Sequence, residues 1–493
     1  MYPRSFADSD SDGIGDLRGI LSKLDYLEWL GVDGLWLNPT MPSPNADWGY
    51  DVADYCDLHP DFGTLADLDE LVAQAGGRGI RILLDLVPNH TSSRHAWFVD
   101  SRRSRDATHR DWYVWRDPKP DGSPPNNWLS VFGGGPAWEL DPETGQLYLH
   151  HFLAEQPDLN WWNERVREAF DEIHRFWFDR GIAGFRIDVV SELVKRRDLP
   201  DDPEPPEQFG RHADEAETHR VLKRWRSISD GYDPPRILIG ETWALDAPSL
   251  ASFYGNDDEL NLAFNFPFMF APLDADVLPR VVEETEAALP DEAWPVWTGS
   301  NHDFVRFPTR WCGEDERKIR CALLMLLTLR GTPVLYFGDE LGLPQVEVTG
   351  EDARDSAGRD GTRTPMHWSA EPGAGFTQPD ARPWLPLGDY ERRNVEAQRA
   401  DPDSPLVLVR DLVALRRELE ELRGGAYATV PSPAGTWVWR RGERTVVALN
   451  LSDAEAAIGS VHGTIRVGTT RARGGEPIDG SLELGPWEGA VIA

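Results

Sequence analysis

Seven short apolar runs rich in β-branched residues alternate with longer amphipathic segments along most of the chain, and the final stretch changes to pure two-residue alternation. These observations predict an α/β protein. Its core would be a (β/α)8 TIM barrel, with an inserted domain after the third strand and a C-terminal antiparallel β domain. A length of 493 residues agrees, being too long for one ordinary domain and enough for a barrel with satellites. The expected boundaries are 1–89 and 158–425 for the barrel, 90–157 for the insert and 426–493 for the β domain.

The barrel units follow in order. DGLWLNP at 33–39 comes after the helix-like LRGILSKLDYLEWLG, and RILLDLVPN at 81–89 after LADLDELVAQAGGRG. GFRIDVV at 184–190 follows ERVREAFDEIHRFWFDRG, and RILIGETW at 236–243 follows AETHRVLKRWRSIS. NLAFNF at 261–266, AWPVWTGSNHD at 293–303 and TPVLYFGDE at 332–340 continue the series, the last after the helix ERKIRCALLMLLTLRG. Near-continuous apolar strands of this kind read as parallel and buried on both faces. Residues 90 to about 157 break the rhythm with Pro, Gly, Trp and charge, and carry only short strand signals such as GQLYLHHF. A second long insertion spans 343–395 after the eighth strand. The helix SPLVLVRDLVALRRELEELRGG closes the barrel, and from about Ala426 the segment GTWVWRRGERTVVALNLS alternates around the turn RRGE.

Composition narrows the function. A net charge of −34 argues against nucleic acid and anionic membrane surfaces, which need Lys/Arg patches, and disfavours phosphorylated substrates. No apolar run approaches the ~20 residues of a membrane span, and no signal peptide opens the sequence, so the expected location is the cytoplasm. Cys56, Cys312 and Cys321 form an odd set without metal-type spacing and read as small buried hydrophobes in a reducing compartment. The 21 tryptophans suit stacking on sugar rings, although each serves equally well as core. No readable pattern sets an oligomeric state.

A barrel enzyme carries its catalytic groups at the C-terminal ends of its strands. There the sequence places Asp85 with Asn89-His90, Arg186-Ile187-Asp188, Glu241, and Asn301-His302-Asp303. Three of these carboxylates, Asp188, Glu241 and Asp303, come from three strands, each with a polar companion, and are hard to explain as caps or ion pairs. Glycoside hydrolysis requires two carboxylates in opposite protonation states. Arg186 shares a strand face with Asp188 and would keep it ionised as a nucleophile. Glu241 ends the apolar run ILIG beside Trp243, where desolvation would raise its pKa and suit a general acid. Asp303 would stabilise an oxocarbenium-like transition state, with His90 and His302 as hydroxyl donors.

At these residues the chain resembles glycoside hydrolase family 13, the α-amylase superfamily. DLVPNH at 85–90, GFRIDVVSE at 184–192, GETW at 240–243 and SNHD at 300–303 look like its four signatures in order, and QPDLNW at 156–161 resembles the oligo-1,6-glucosidase and α-glucosidase branch. The resemblance implies Asp188 as nucleophile, Glu241 as acid/base and Asp303 as transition-state stabiliser. It implies a retaining mechanism, with the Asp188 and Glu241 carboxyls about 5–5.5 Å apart. It also implies a closed pocket for one glucose, with Asp47 paired to Arg363, and Tyr50, Phe152, Gln156, His90, Arg186 and His302 lining it. Val189, directly after the nucleophile, matches the branch members that favour α-1,6 bonds, whereas Val190-Ser191-Glu192 departs from their usual continuation. The expected activity is therefore broad exo-α-glucosidase action on short oligosaccharides. The rivals are a transglucosidase or a sucrose/isomaltulose-type isomerase on the same scaffold, a phospho-sugar hydrolase, and a non-catalytic amylase-like transporter subunit. The last has a membrane anchor and lacks these carboxylates.

Two details concern the N-terminal region. The family normally begins about ten residues before YPRSF, so the first barrel strand is expected ahead of the stated start. DSDSDGIGD at 8–16 opens like an EF-hand loop, yet its twelfth position is Gly19 instead of Glu. The residues alone leave a solvated acidic loop and a cation site equally open. The branch resemblance implies a structural Ca²⁺ or Mg²⁺ held by Asp8, Asp10, Asp12, Asp16 and the carbonyl of Ile14. Asn89 resembles a calcium ligand of true amylases, but that site is often lost in this branch, and no metal is assigned to it.

Overall fold

In the computed structural model, which describes residues 1–203, 212–213 and 215–493, the chain forms two compact units. One comprises residues 34–243 and 253–263; the other comprises 1–33, 244–252 and 264–493.

The first unit is built on a five-stranded parallel sheet in chain order: Gly34–Leu37, Arg81–Leu86, Gly184–Ile187, Ile237–Gly240 and Leu262–Ala263. Leu84, Phe185, Ile187 and Leu238 are fully buried, as expected for strands covered on both faces. Gly184 is required by close approach, because a Cβ there would lie 2.0 Å from the Ile237 carbonyl oxygen. The intervening helices start where the sequence places caps. Leu65–Gly77 carries a Thr64/Asp67 capping box, and Asn163 caps Glu164–Asp179. The region after Asn89 holds a three-stranded antiparallel sheet of Trp115–Arg116, Gln146–Leu149 and Trp138–Asp141. It packs Val114, Trp128, Trp138, Leu147 and Leu149 with Leu199.

The second unit contains the parallel pair Val296–Trp297 and Thr332–Pro333 and a six-stranded antiparallel sheet at the C-terminal end. That sheet begins at Tyr427, and Thr436–Arg441 turns onto Thr445–Asn450 at the predicted RRGE. Two predicted helices are each broken once. Leu17–Ser22 and Leu24–Leu30 separate at Lys23, whose ammonium leaves the helix axis to sit 4.4 Å over the Trp368 ring. Pro405–Glu418 and Glu420–Gly424 separate at the extended Leu419. The last three barrel runs give shorter strands than their sequence suggests. Asn265 caps the helix Phe266–Phe270 inside NLAFNF, and Pro333 has no N–H to extend a ladder. Tyr2 leads into the short turn Pro3–Ser5.

Much of the tryptophan excess is core: Trp128, Trp161, Trp177, Trp225, Trp297, Trp437 and Trp439 are fully buried. Cys312 and Cys321 are buried thiols, while Cys56 is half-buried. No helix among the described residues is long and apolar enough to cross a membrane.

Candidate active site

Parallel register brings the charges of the first unit together. Asp85 lies opposite Arg186 in the pairing of Arg81–Leu86 with Gly184–Ile187, and Ile187 lies opposite Gly240, one residue before Glu241. The backbone N–H of Asp188 donates to Leu86, and that of Glu241 to Ile187, so each ladder runs on to its carboxylate. Arg186 is the hub. Its Nη1 donates to Asp85 Oδ1 at 3.0 Å and to Asp188 Oδ1 at 2.6 Å, while Nη2 donates to Glu241 Oε2 at 2.6 Å. Asp85 is further satisfied by the Tyr50 hydroxyl at 3.0 Å and Trp36 Nε1 at 3.1 Å. The indole of Trp36 and the phenol of Tyr50 both lie against the guanidinium.

Three carboxylates thus face one guanidinium in a buried setting. Burial outweighs Arg186 at Asp85 and pushes its pKa up to about 6. Asp188 is also held well above the usual carboxylate range, first by burial and then by the neighbouring Glu241 and Asp85 charges, against the pull of Arg186. Asp188 and Glu241 lie within hydrogen-bonding reach of each other. Arg186 therefore does not act alone on Asp188, as the sequence suggested: burial and two neighbouring carboxylates oppose it. The residue after Asp188 is conformationally special. Val189 sits at φ +47°, ψ +44°, a left-handed conformation costly for a β-branched side chain. Its N–H points at Glu241 Oε2, 3.3 Å away.

Beside this hub the predicted pocket residues of the same unit converge. Gln156 Nε2 donates to Asp47 Oδ2 at 2.9 Å and lies 3.0 Å from His90 Nε2. His90 Nε2 faces the Tyr50 carbonyl at 3.1 Å, Asn89 Nδ2 meets its Nδ1 at 3.1 Å, and Phe152 packs on the imidazole at a 5.2 Å centroid separation. Burial lowers the His90 pKa. Next to Asn89 the chain supplies its own cation. The Lys195 ammonium lies 2.5 Å from Asn89 Oδ1, 3.1 Å from Asp158 Oδ2, and donates to the Glu192 carbonyl.

The second unit gathers the remaining predicted residues. Arg363 Nη2 donates to Asp303 Oδ1 at 3.1 Å and its Nε to the His302 carbonyl at 3.0 Å, while His302 Nε2 lies 3.2 Å from Asp303. Arg359 also reaches Asp303 Oδ1 at 3.2 Å. In the acidic loop, carboxylate oxygens of Asp8, Asp10 and Asp16 lie within 4.8 Å of one another. Asp12 instead turns a carboxylate oxygen to the N–H of Ile14 at 2.7 Å. An oxygen-only donor set at this spacing suits a hard cation.

Sequence reasoning placed Asp85 at a strand end without giving it a role, and left Trp36 and Arg359 out of the site. The signal for Asp85 was available, since a buried arginine on the adjacent strand needs a carboxylate opposite it. Arg359 stands four residues before Arg363 in a loop without periodicity, and nothing marked it.

The comparisons agree with this geometry. The model of the α-amylase catalytic domain matches residues 1–425. The chain is 38% identical to an oligo-1,6-glucosidase of Heyndrickxia coagulans over 92% of this chain and 91% of that one. It is 39% identical to a probable α-glucosidase of Rhizobium meliloti (strain 1021) over 92% and 88%. Among solved structures it matches an α-glucosyl transfer enzyme, XgtA, with a TM-score of 0.91 and 37% identity, covering 100% of this chain and 98% of that one. The chain therefore belongs to the α-amylase family of TIM-barrel glycoside hydrolases.

Proposed function

We propose that this protein is an exo-acting, retaining α-glucosidase that releases glucose from the non-reducing end of short α-1,4- or α-1,6-linked glucosides. The observation that carries the reading is the Arg186 fork, which holds Asp188 and Glu241 at 2.6 Å each on adjacent nitrogens. Two carboxylates gathered on one guanidinium suit attack by one and protonation by the other. In the first step an Asp188 oxygen bonds to the anomeric carbon as the glycosidic C–O bond breaks, and the Glu241 proton passes to the leaving oxygen. In the second, Glu241 takes a proton from water. That water's oxygen bonds to the anomeric carbon and the ester to Asp188 breaks. Asp303 stabilises the positive charge that develops between them.

Asp47, Gln156, His90, Tyr50 and Phe152 form the buried wall against which one terminal glucose fits. A wall of this kind predicts exo action. Maltoheptaose should lose glucose one unit at a time, whereas early appearance of maltotriose and maltotetraose would contradict it. Likeness to an α-glucosyl transfer enzyme favours a second reading, transglucosylation, in which a sugar hydroxyl replaces the water. Oligosaccharide longer than the donor at high sugar concentration would establish it.

We further propose that Asp8, Asp10 and Asp16 hold a structural Ca²⁺ or Mg²⁺, remote in sequence from the carboxylates that do the chemistry. Excess EDTA should lower the melting temperature by a few degrees, and an unchanged melting point would return the loop to solvated acid. Unpaired cysteines suit a reducing compartment, which supports a cytoplasmic location.

A further inference from the structure

Four residues past Asp188 the first unit contains a second buried cluster that the hydrolytic mechanism leaves unused. His151 follows the strand Gln146–Leu149, Glu192 ends the 3-10 turn Val190–Glu192, and His212 lies beyond it. All three are at most 7% exposed, and one ligand atom from each lies within 4.8 Å of the others.

The hydrogen bonds around the rings fix their tautomers. His151 Nδ1 lies 2.7 Å from Asp158 Oδ2, and His212 Nε2 lies 2.8 Å from Asp202 Oδ2. Ionised carboxylates only accept, so both of these nitrogens carry the proton. The remaining nitrogens, His151 Nε2 and His212 Nδ1, then present lone pairs to each other at 2.9 Å. Two lone pairs at that distance repel unless a cation lies between them. Beside them Glu192 Oε2 is buried without a hydrogen-bond partner among the described residues. Glu192 also faces the carboxylates of Asp158, Asp202 and Glu215, with Lys195 opposing them.

We propose that His151 Nε2, His212 Nδ1 and the Glu192 carboxylate form a binding site for a borderline transition-metal dication, Zn²⁺ in the first instance. Two imidazoles and a carboxylate are a zinc donor set. The Asp158 and Asp202 contacts are the carboxylate–histidine pairs that orient such ligands from outside. Zinc–nitrogen bonds of about 2.0–2.1 Å set the two nitrogens about 3.3 Å apart in a tetrahedron, so the pair opens by a few tenths of an ångström. Trp128 stacks on His212 at a 4.1 Å centroid separation and closes the site on one side. Metal there would tie the insert to the segment that follows Asp188.

The test is metal binding by the full-length protein stripped with chelator and titrated with Zn²⁺, and separately with Co²⁺. The expected result is one Zn²⁺ per chain, and intense visible d–d bands of tetrahedral cobalt, which an all-oxygen site such as the Asp8 loop does not give. His212→Ala should abolish both. Asp202→Asn, which keeps every ligand, should weaken zinc about 10–100-fold. Wild-type protein that takes up no zinc, or cobalt bands that survive His212→Ala, would overturn the proposal.

Discussion

Two clusters of the same unit use the same ingredients, buried carboxylates around one basic side chain, and reach opposite results. At the Arg186 hub one guanidinium serves Asp85, Asp188 and Glu241, and the pKa values of Asp85 and Asp188 rise. At Lys195 one ammonium serves Asp158. Burial there would raise Asp158, but Lys195 and His151 overcome it and hold the carboxyl below the usual range. Direct contacts decide the outcome. Asp158 has an ammonium and an imidazole nitrogen to itself, whereas Asp85 and Asp188 share one guanidinium nitrogen.

The largest break in this comparison comes from removing a member of the reactive set. Asp188→Asn or Glu241→Gln should lower kcat/KM on maltose by roughly 10⁴- to 10⁶-fold with the melting temperature little changed; a loss under tenfold in steady-state assays would refute the assignment. Removing the cation beside Asp158 should do the reverse. Lys195→Met leaves Asp158 buried without its ammonium, and should cost about 3–5 kcal/mol in urea unfolding, so a cost under about 1 kcal/mol would show that Lys195 is dispensable.

A smaller effect sharpens the electrostatic argument. The acid limb of the kcat/KM–pH profile reports a carboxylate that must ionise. Asp85→Asn removes a negative neighbour and leaves Arg186 to the remaining two, so that carboxylate's pKa falls. The limb should move to lower pH, by on the order of one unit. A limb that stays in place, or moves up, would mean that Asp85 does not act on the pair. The smallest effect concerns linkage. Val189→Thr preserves β-branching at the left-handed position, so only the side chain's polarity changes. The maltose-to-isomaltose rate ratio should rise a few-fold, and an unchanged ratio would remove Val189 as a selector.

The Arg186 cluster was largely legible before any coordinates because a parallel strand leaves two marks in sequence. One is a continuous apolar run, and the other is a polar residue where the run ends. Asp188 and Glu241 stand at those ends. The depth of burial was not legible. Arg186 as a stabilising neighbour of Asp188 was a pairwise reading, whereas the cluster is a three-against-one balance that depends on register between strands about a hundred residues apart. Likewise the His151–Glu192–His212 set brings together residues from two excursions with no common spacing. The broken helix at Lys23 was hidden because its apolar periodicity continues across the break. The short strands at Leu262–Ala263 and Thr332–Pro333 were overestimated because apolar runs do not show where a cap or a proline stops the ladder.

The account stands or falls on Asp188 acting as a nucleophile with Glu241 as its acid/base partner. The most direct measurement is the anomeric form of the first glucose released from maltose or isomaltose, followed by proton NMR before mutarotation. Double displacement predicts α-glucose first, with the β anomer growing in afterwards. β-Glucose as the initial product would contradict it.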